Sequence, residues 1–457
     1  MCRYAVTCIT YCPLREPAEL LTISTTMSLV LAVNAGSSSL KISLFHRSAE
    51  NAANPVLLLS SSTSSIFAPP AKFRLSFIAY QHRSLNEEVD SIHDHASAFT
   101  HFLDRLKEEA SVDLIDIKHV AHRVVHGGDY ISPVMICKES YHHIKRLYGL
   151  APLHNGSALA VIKLAVGVLP HAKSIAFFDS AFHKDIPAHV ATYAINQQVA
   201  HERGLRKYGF HGLSYAFMLR AVAAHLNKAP NTLNIIALHI GSGASMCAIR
   251  NGQSIDTSMG LTPLSGLPGA TRAGDIDASL IFHYSSGSPA RMSQDPSIPE
   301  EAKVTEAEEI LNLKSGWKGL TGTADFKEIT EKANTSIHSD PISRTADPNT
   351  LAFRIMLDRI LHFAGAYHLA LHGDVDALVF AGGVGERSAQ LRCAVGEAVA
   401  CLGFTVIDET KNSRVNDDEG IIVDIGRNDG RKRMLVCHTD EQLEMARECS
   451  LADQFWT

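Results

Sequence analysis

The segment Asn34-Ala35-Gly36-Ser37-Ser38-Ser39-Leu40-Lys41 sets hydroxyls and one cation around a turn of small residues. In extended geometry Ser37, Ser39 and Lys41 share a face, so two hydroxyls and an ammonium could meet one anion. Gly and Ser also let backbone N–H groups converge on a phosphate without bulk in the way. Any tight hairpin favours the same residues, so the turn alone leaves both readings open. It is not the G-x-x-x-x-G-K-[ST] phosphate loop, which the chain lacks. A second segment, His122-Arg123-Val124-Val125-His126-Gly127-Gly128, offers an Arg that could clamp a carboxylate or phosphate bidentately, or be ion-paired on a strand. Asp179 closes the apolar run Ile175 to Phe178, where a carboxylate could project into a crevice or cap a following helix. The stretch from Asp256 to Asp277 fits neither helix nor strand periodicity, and so long a Gly/Pro-rich segment in a compact protein is usually a functional loop. Arg272 lies in its polar half. Two arginines, phosphate-sized turns and acidic metal ligands are the parts that phosphoryl transfer needs.

These residues need strands to hold them. Leu29 to Val33 is a continuous apolar run suited to a buried strand, and Leu40, Ile42 and Leu44 then alternate with Lys41 and Ser43, which predicts a β-hairpin. A hairpin of the same design runs from Ile235 to His239, through Gly241-Ser242-Gly243-Ala244-Ser245, to Met246 to Ile249. A further strand, Ala377 to Phe380, leads into Gly382-Gly383-Val384-Gly385. Recurrence of this unit after about 200 residues suggests two lobes of related construction. Ile117 to Val125 reads as a strand and Ala96 to Glu109 as a helix. Asn54 to Pro70, rich in Ser and Pro, is expected to include a variable loop, and 284–301 and 337–350 read as surface loops. The expectation is an α/β protein of two lobes around a cleft.

The totals agree. A chain of 457 residues exceeds one core at roughly 100–200 residues per domain. Net charge of -6 and 20% charged residues ask for neither nucleic acid nor an anionic membrane as partner. Nine scattered cysteines, with no Cys-x-x-Cys pair, read as free thiols of a reducing compartment, and the 24 histidines sit mostly in no metal-like spacing. No apolar run is long enough to span a membrane. Residues 1–27 show no clear signal-peptide pattern and read as a disordered extension, with the fold beginning near Ser28.

Taken together, these segments resemble the acetate kinase family, of the superfamily that also holds sugar kinases, actin and heat-shock chaperone ATPases. The resemblance runs from Ser28 to about Ala446. It rests on the 34–41 segment, the 256–277 segment and Arg206-Lys207-Tyr208-Gly209-Phe210-His211-Gly212. It implies two actin-like, ribonuclease H-like lobes: 28–182, completed by the C-terminal helix 440–457, and 183–439, which carries nucleotide binding and dimerisation. It also implies ATP as phosphoryl donor, Mg2+ (or Mn2+), acetate as acceptor, a homodimer and a cytoplasmic location. Carried over by position, Arg123 and Arg272 bind the carboxylate and the transferring phosphoryl group. His154 stabilises its equatorial oxygens, and Asp179 orients Arg123 or the metal-bound reactants. Asn34 and Glu441 position the metal. Val125, Leu153, Phe210 and Pro263 form the acyl pocket. His211, His239 and the Gly241-Ser242-Gly243 turn face the nucleotide phosphates, as do Ser37, Ser39 and Lys41. Asp325-Phe326-Lys327 and Gly382-Gly383-Val384-Gly385 match the adenosine-binding segments.

The departures fall mostly on the nucleotide side. Ser242 stands for a common Asn, Lys327 for Arg, Arg387 for Asn, and Leu213-Ser214-Tyr215 for Thr-Ser-His, while Gly156-Ser157 replaces a Pro pair. They leave pyrophosphate as an alternative donor. A pocket that measures a methylene at only about 1–3 kcal/mol leaves propionate or butyrate as alternative acceptors. A catalytically silent nucleotide-binding protein of the same frame predicts a lost reactive residue, yet Arg123, His154, Asp179, Arg272 and Glu441 are all in place.

Overall fold

The computed structural model describes residues 28–456 apart from 37, 79–82, 111, 148–151, 286–287, 296–297, 299–303, 338–346, 419 and 428–430. The expected extension 1–27 therefore lies outside the described residues.

Strand β1 (Leu29–Ala35), LVLAVNA, is buried at every position and forms the centre of a sheet covered on both faces. It pairs antiparallel with β2 (Ser39–His46), which is followed by β3 (Val56–Ser64), β4 (Ala71–Phe77) and β5 (Ser84–Val89) in an antiparallel meander. On its other side β1 pairs parallel with β6 (Ile117–Val124), and β6 with β8 (Lys173–Phe178), edged by β7 (Val134–Met135). The eight-stranded order is β5-β4-β3-β2-β1-β6-β8-β7. The second sheet combines β9 (Ile235–Ile240), β10 (Ala244–Arg250), β11 (Gln253–Thr257), β12 (Ala377–Ala381), β13 (Ile422–Asp424) and β14 (Arg433–Cys437), in the order β11-β10-β9-β12-β14-β13. The inner strands β3-β2-β1-β6-β8 and β11-β10-β9-β12-β14 repeat one pattern: two antiparallel steps, then two parallel ones. The repetition suspected between the two hairpins is thus a repetition of whole sheets.

Two sequence expectations shift. Much of the Ser-rich run 54–70 is β3, not loop, because Leu59, Ser61 and Thr63 alternate inward and are buried while Ser62 and Ser64 face out; only 65–70 turns. The second Pro/Ser-rich stretch, 337–350, ends early. Pro348 opens a helix (Pro348–Ala370) from the first-turn position a proline suits, with the Asp347 carboxylate accepting from the Thr350 N–H at 2.9 Å.

The helices His95–Ala110 and Pro152–Val168 cover one face of the first sheet. Its other face receives the C-terminal helix Glu441–Leu451, whose Met445, Ala446 and Cys449 are buried against Val30, Ala32, Ala121 and Phe177. Arg220, on the helix Gly212–His225, donates to Glu444 from Nη2 (2.6 Å) and Nε (3.1 Å), tying that helix to the C-terminal one. The parallel strands β1, β6, β8, β9 and β12 end at Ala35, Val124, Phe178, Ile240 and Ala381. The residues that follow each of these ends are those singled out for chemistry, as expected for a crevice at the carboxyl ends of strands.

Candidate active site

Arg123 lies near the end of β6 and Asp179 directly after β8. Parallel neighbours of this kind bring the two side chains together: Arg123 donates to Asp179 Oδ2 from Nη2 at 2.6 Å and from Nε at 3.1 Å. Its Nη1 donates to Asn34 Oδ1 at 3.1 Å and lies 3.2 Å from Glu441 Oε2. Asn34 Nδ2 in turn donates to the same Glu441 oxygen at 2.6 Å. Asp179 is fully buried, and its Oδ1 has no hydrogen-bond partner among the described residues. Burial pushes the Asp179 carboxyl up, against the pull of Arg123. Burial also acts upward on Glu441, but Arg123, His239 and Lys41 outweigh it and hold the carboxyl below its usual range. The Arg123 guanidinium is held firmly protonated: burial opposes its charge, and Asp179 and Glu441 more than offset that. The Arg123 charge is therefore compensated inside this half of the site.

The facing half is built differently. His211 precedes the helix Gly212–His225 in the left-handed region (φ 58), an uncommon conformation for a non-glycine residue. Its Nδ1 is 2.7 Å from the Ser245 hydroxyl and its ring lies on that of His239, centroids 4.3 Å apart. His239 Nδ1 is hydrogen-bonded to the Ser214 hydroxyl, also at 2.7 Å. Burial lowers the pKa of both imidazoles, with neighbouring charges adding to the effect on His211. Gly212 is obligatory by space: a Cβ there would fall 1.9 Å from the Asp179 carbonyl oxygen. At the tip of the β9–β10 hairpin, a Cβ on Gly243 would lie 2.7 Å from Arg272 Nη1 and 3.5 Å from His211 Nε2, so three predicted residues converge around one empty Cβ position. Arg272 has no hydrogen-bond or ion-pair partner among the described residues. Burial, and then the like charge of Arg123, push its guanidinium down to about 10.

The 256–277 loop holds Arg272 there. Beyond β11 it carries neither helix nor strand up to residue 279. It is pinned by backbone bonds: Ala270 N–H to Ser242 O at 2.8 Å, Gly269 N–H to Arg272 O at 3.0 Å, and Tyr208 N–H to Gly260 O at 3.0 Å. Asp275 closes the base of the loop by accepting from the Gly266 N–H at 2.8 Å. Met259 of the loop packs with Tyr208 and Phe210, and Val125 and Leu261 border this small apolar cluster. Val125 and Phe210 are thus brought together; Pro263 is buried further along the loop, and Leu153 is half-buried in the first turn of its helix, outside the cluster. His126 was noticed only as a neighbour of Arg123, yet it seals this corner. Its Nε2 is 3.2 Å from the Leu261 carbonyl, and its ring packs 4.5 Å from Tyr208 and 5.3 Å from Phe210. Asn155 clamps the His126 backbone with bonds of 3.0 and 2.9 Å. Its only signal in the sequence was its place beside His154. The side chain of His154, and Ser37 as a whole, lie outside the described residues.

On the nucleotide side, Gly382 adopts φ +76, and a Cβ would fall 2.8 Å from the Ile240 carbonyl, so its turn fits against the end of β9. A Cβ on Gly241 would be 3.8 Å from Gly383 N, so the two glycine turns adjoin. Gly383 and Ser242 are exposed, whereas Gly385 is buried and Val384 packs on the core. Asp325 caps the helix Phe326–Lys332, and Lys327 is exposed beside Glu331. Phe326 is buried against Trp317 and Phe353, so its ring serves the core. Glu386, unmarked by any motif, accepts from the Gly382 N–H at 3.0 Å and reaches His438 Nδ1 at 3.3 Å, joining the glycine turn to the segment that leads into Glu441. In the first hairpin, Ser39 is half-buried and Lys41 exposed.

Two sheets of repeated strand order, each ending in a small-residue hairpin at a shared crevice, define the actin-like two-lobe class. Among the described residues, no helix is long and apolar enough to cross a membrane. The Acetokinase family model matches residues 29–447, and the chain belongs to that family. The chain is 49% identical over 428 residues to a "Probable acetate kinase" of Emericella nidulans, covering 92% of this chain and 97% of that protein. Among solved structures it resembles a propionate kinase from Francisella tularensis (TM-score 0.75, 31% identity, 92% of this chain and 99% of the other). It also resembles Porphyromonas gingivalis acetate kinase (TM-score 0.72, 29% identity, 94% and 100%). The protein is a kinase that transfers phosphate to a carboxylate, with ATP as co-substrate.

Proposed function

We propose that the chain catalyses reversible phosphoryl transfer between ATP and acetate, giving ADP and acetyl phosphate, by direct in-line displacement. The observation that carries this reading is Arg272: a half-buried guanidinium with no protein counter-ion among the described residues, facing an Arg123 whose charge is already balanced. A bound anion is what such a group lacks. One acetate oxygen forms a bond to the γ-phosphorus as the bond from that phosphorus to the β–γ bridging oxygen breaks, and ADP leaves with the electron pair. Negative charge on the transferring group is met by Arg272 and Arg123, fixed in place by the 256–277 loop and Asp179, so little reorganisation accompanies the step. Neutral His211 can donate a hydrogen bond from Nε2 without adding a further cation. Val125, Phe210 and Met259 keep water from the acyl end.

Asp179 Oδ1, the Glu441 carboxylate and Asn34 Oδ1 are hard oxygen donors, and the orphaned Asp179 oxygen is the kind of group a hard cation satisfies, so the residues fit Mg2+. When bound it would neutralise the nucleotide phosphates. The reading also assigns lobes to 28–182 with 440–457 and to 183–439, a homodimer through the second lobe, and a cytoplasmic location. Propionate is the second acceptor to consider, because a structural relative carries that name and the apolar corner has half-buried edges at Val125 and Leu261. Steady-state kinetics on the purified chain test both ends of the site. We expect kcat/KM for acetate to exceed that for propionate by about tenfold, with ATP and not pyrophosphate as donor. A preference for propionate or for pyrophosphate would overturn the corresponding half.

A further inference from the structure

The face of the first sheet that carries Asn34 continues outward from the cleft. In the antiparallel register Asn34 lies opposite Lys41, Lys41 opposite Ser62, and Ser62 opposite Arg74; in the next rank Ser43, Ser60, Ser76 and Ser84 lie abreast. Directly opposed residues share a face, so cations and hydroxyls form one continuous surface. A cavity of about 490 Å³ opens on it, lined by Lys41, Ser60, Ser62, Arg74, Arg83 and Ser84, with Phe77, Ile78 and Gln442 also in its wall. Among the described residues, three cations and no carboxylate line it. In a chain of net charge -6 this is a local reversal of sign, where a merely solvated face would mix both.

The cations are poorly compensated. Lys41 makes no hydrogen bond or ion pair among the described residues, and Arg74 engages only the Ser76 hydroxyl, through Nε at 3.3 Å. Arg83 is paired with Glu109 and lies over the Phe77 ring, 5.5 Å from its centroid. We propose that this groove is a second anion site, adjoining the phosphoryl-transfer centre at Lys41, that takes a small phosphate ester. The phosphate sits against Lys41 and Arg74 with serine hydroxyls donating to it, and the organic part rests on the exposed Ile78. The volume is at the lower end of ordinary ligand sites, roughly 300–1,000 Å³. Its position gives it leverage on the cleft, since Lys41 stands opposite Asn34 in the strand register.

The test is calorimetric titration of the full-length protein with its cleft filled by ADP, Mg2+ and acetate, using glycerol 3-phosphate in one arm and inorganic phosphate in the other. Saturable binding of both is expected, tighter for the ester, which alone can use Ile78. Arg74→Glu should weaken binding at least about tenfold and leave kcat without added ligand unchanged. Ser62→Asp, which places a carboxylate in the groove, should do the same. No saturable binding in either arm, or binding indifferent to both substitutions, would overturn the site. Equal affinity in the two arms would overturn the ester assignment and leave free phosphate as its ligand.

Discussion

The β1–β2 and β9–β10 hairpins occupy equivalent places in sheets of the same strand order, yet they bring opposite electrostatics to the cleft. Around the first, the arginine and its carboxylates are paired: Arg123 is shared among Asp179, Asn34 and Glu441, and Asn34 also holds Glu441. Around the second, the turn is Gly241-Ser242-Gly243, the nearby imidazoles have lowered pKa values, and Arg272 is unpaired among the described residues. The arginine of one lobe is paired before substrate arrives; that of the other is completed by the substrate's own charge. A duplicated scaffold thus fixes where functional groups stand without fixing whether their charge is stored or spent on ligand.

The largest effect should come from removing the unpaired cation. Arg272→Ala should lower kcat by about 10³-fold while stability stays within about 1 kcal/mol. Near-normal turnover in a coupled ATP and acetate assay would sink its assigned role. Removing a charge from the balanced lobe should act on the fold as well. Asp179→Asn leaves Arg123 buried with only part of its compensation, so unfolding in urea should show a loss of about 3 kcal/mol beside the lost activity. Equal stability losses for the two variants would erase the contrast between the lobes. A smaller and sharper probe is Gly243→Ala: its Cβ would crowd Arg272 Nη1, which can shift, so kcat should fall about tenfold with the melting curve unchanged.

The pH dependence of stability probes the histidines. Burial pushes His126 and His183 down to about 4 and His122 to about 3. Unfolded, they bind protons below their ordinary value near 6.5; folded, they do not until the lower values are reached. Unfolding therefore takes up protons in that window, and stability present above about pH 6.5 should be lost as pH falls toward about 4. Glu448, raised by burial to about 7, acts in the opposite direction, as do the raised carboxyls of Asp179 and Asp440, but these are fewer than the buried imidazoles. Urea midpoints should accordingly be lower at about pH 5 than at about pH 7; a flat or rising profile toward acid would contradict it.

Much of this was visible in the chain itself. Runs such as Leu29 to Val33 and Ile235 to His239 are apolar because their strands are buried on both faces, and the small-residue turns after them mark where backbone must approach a ligand or another turn. Arg123, Asp179 and Arg272 could be named from their types and segments, and Glu441 from the family resemblance. The Ser-rich β3 could not be read correctly, because a serine on the outward face of a strand has the same composition as a serine in a loop. Nor could the clamps made by Asn155 and Glu386, whose partners lie 29 residues away at His126 and 52 away at His438.

Residue types and strand periodicity therefore determined the fold class and the inventory of reactive groups, since both depend on local pattern. Which charges cancel was decided only in three dimensions. Asn34 and Glu441 are 407 positions apart in sequence and 2.6 Å apart in space, and no local rule says that Arg123 finds two carboxylates while Arg272 finds none among the described residues. Coulomb energy and desolvation depend on distance and burial, and both are properties of the folded chain.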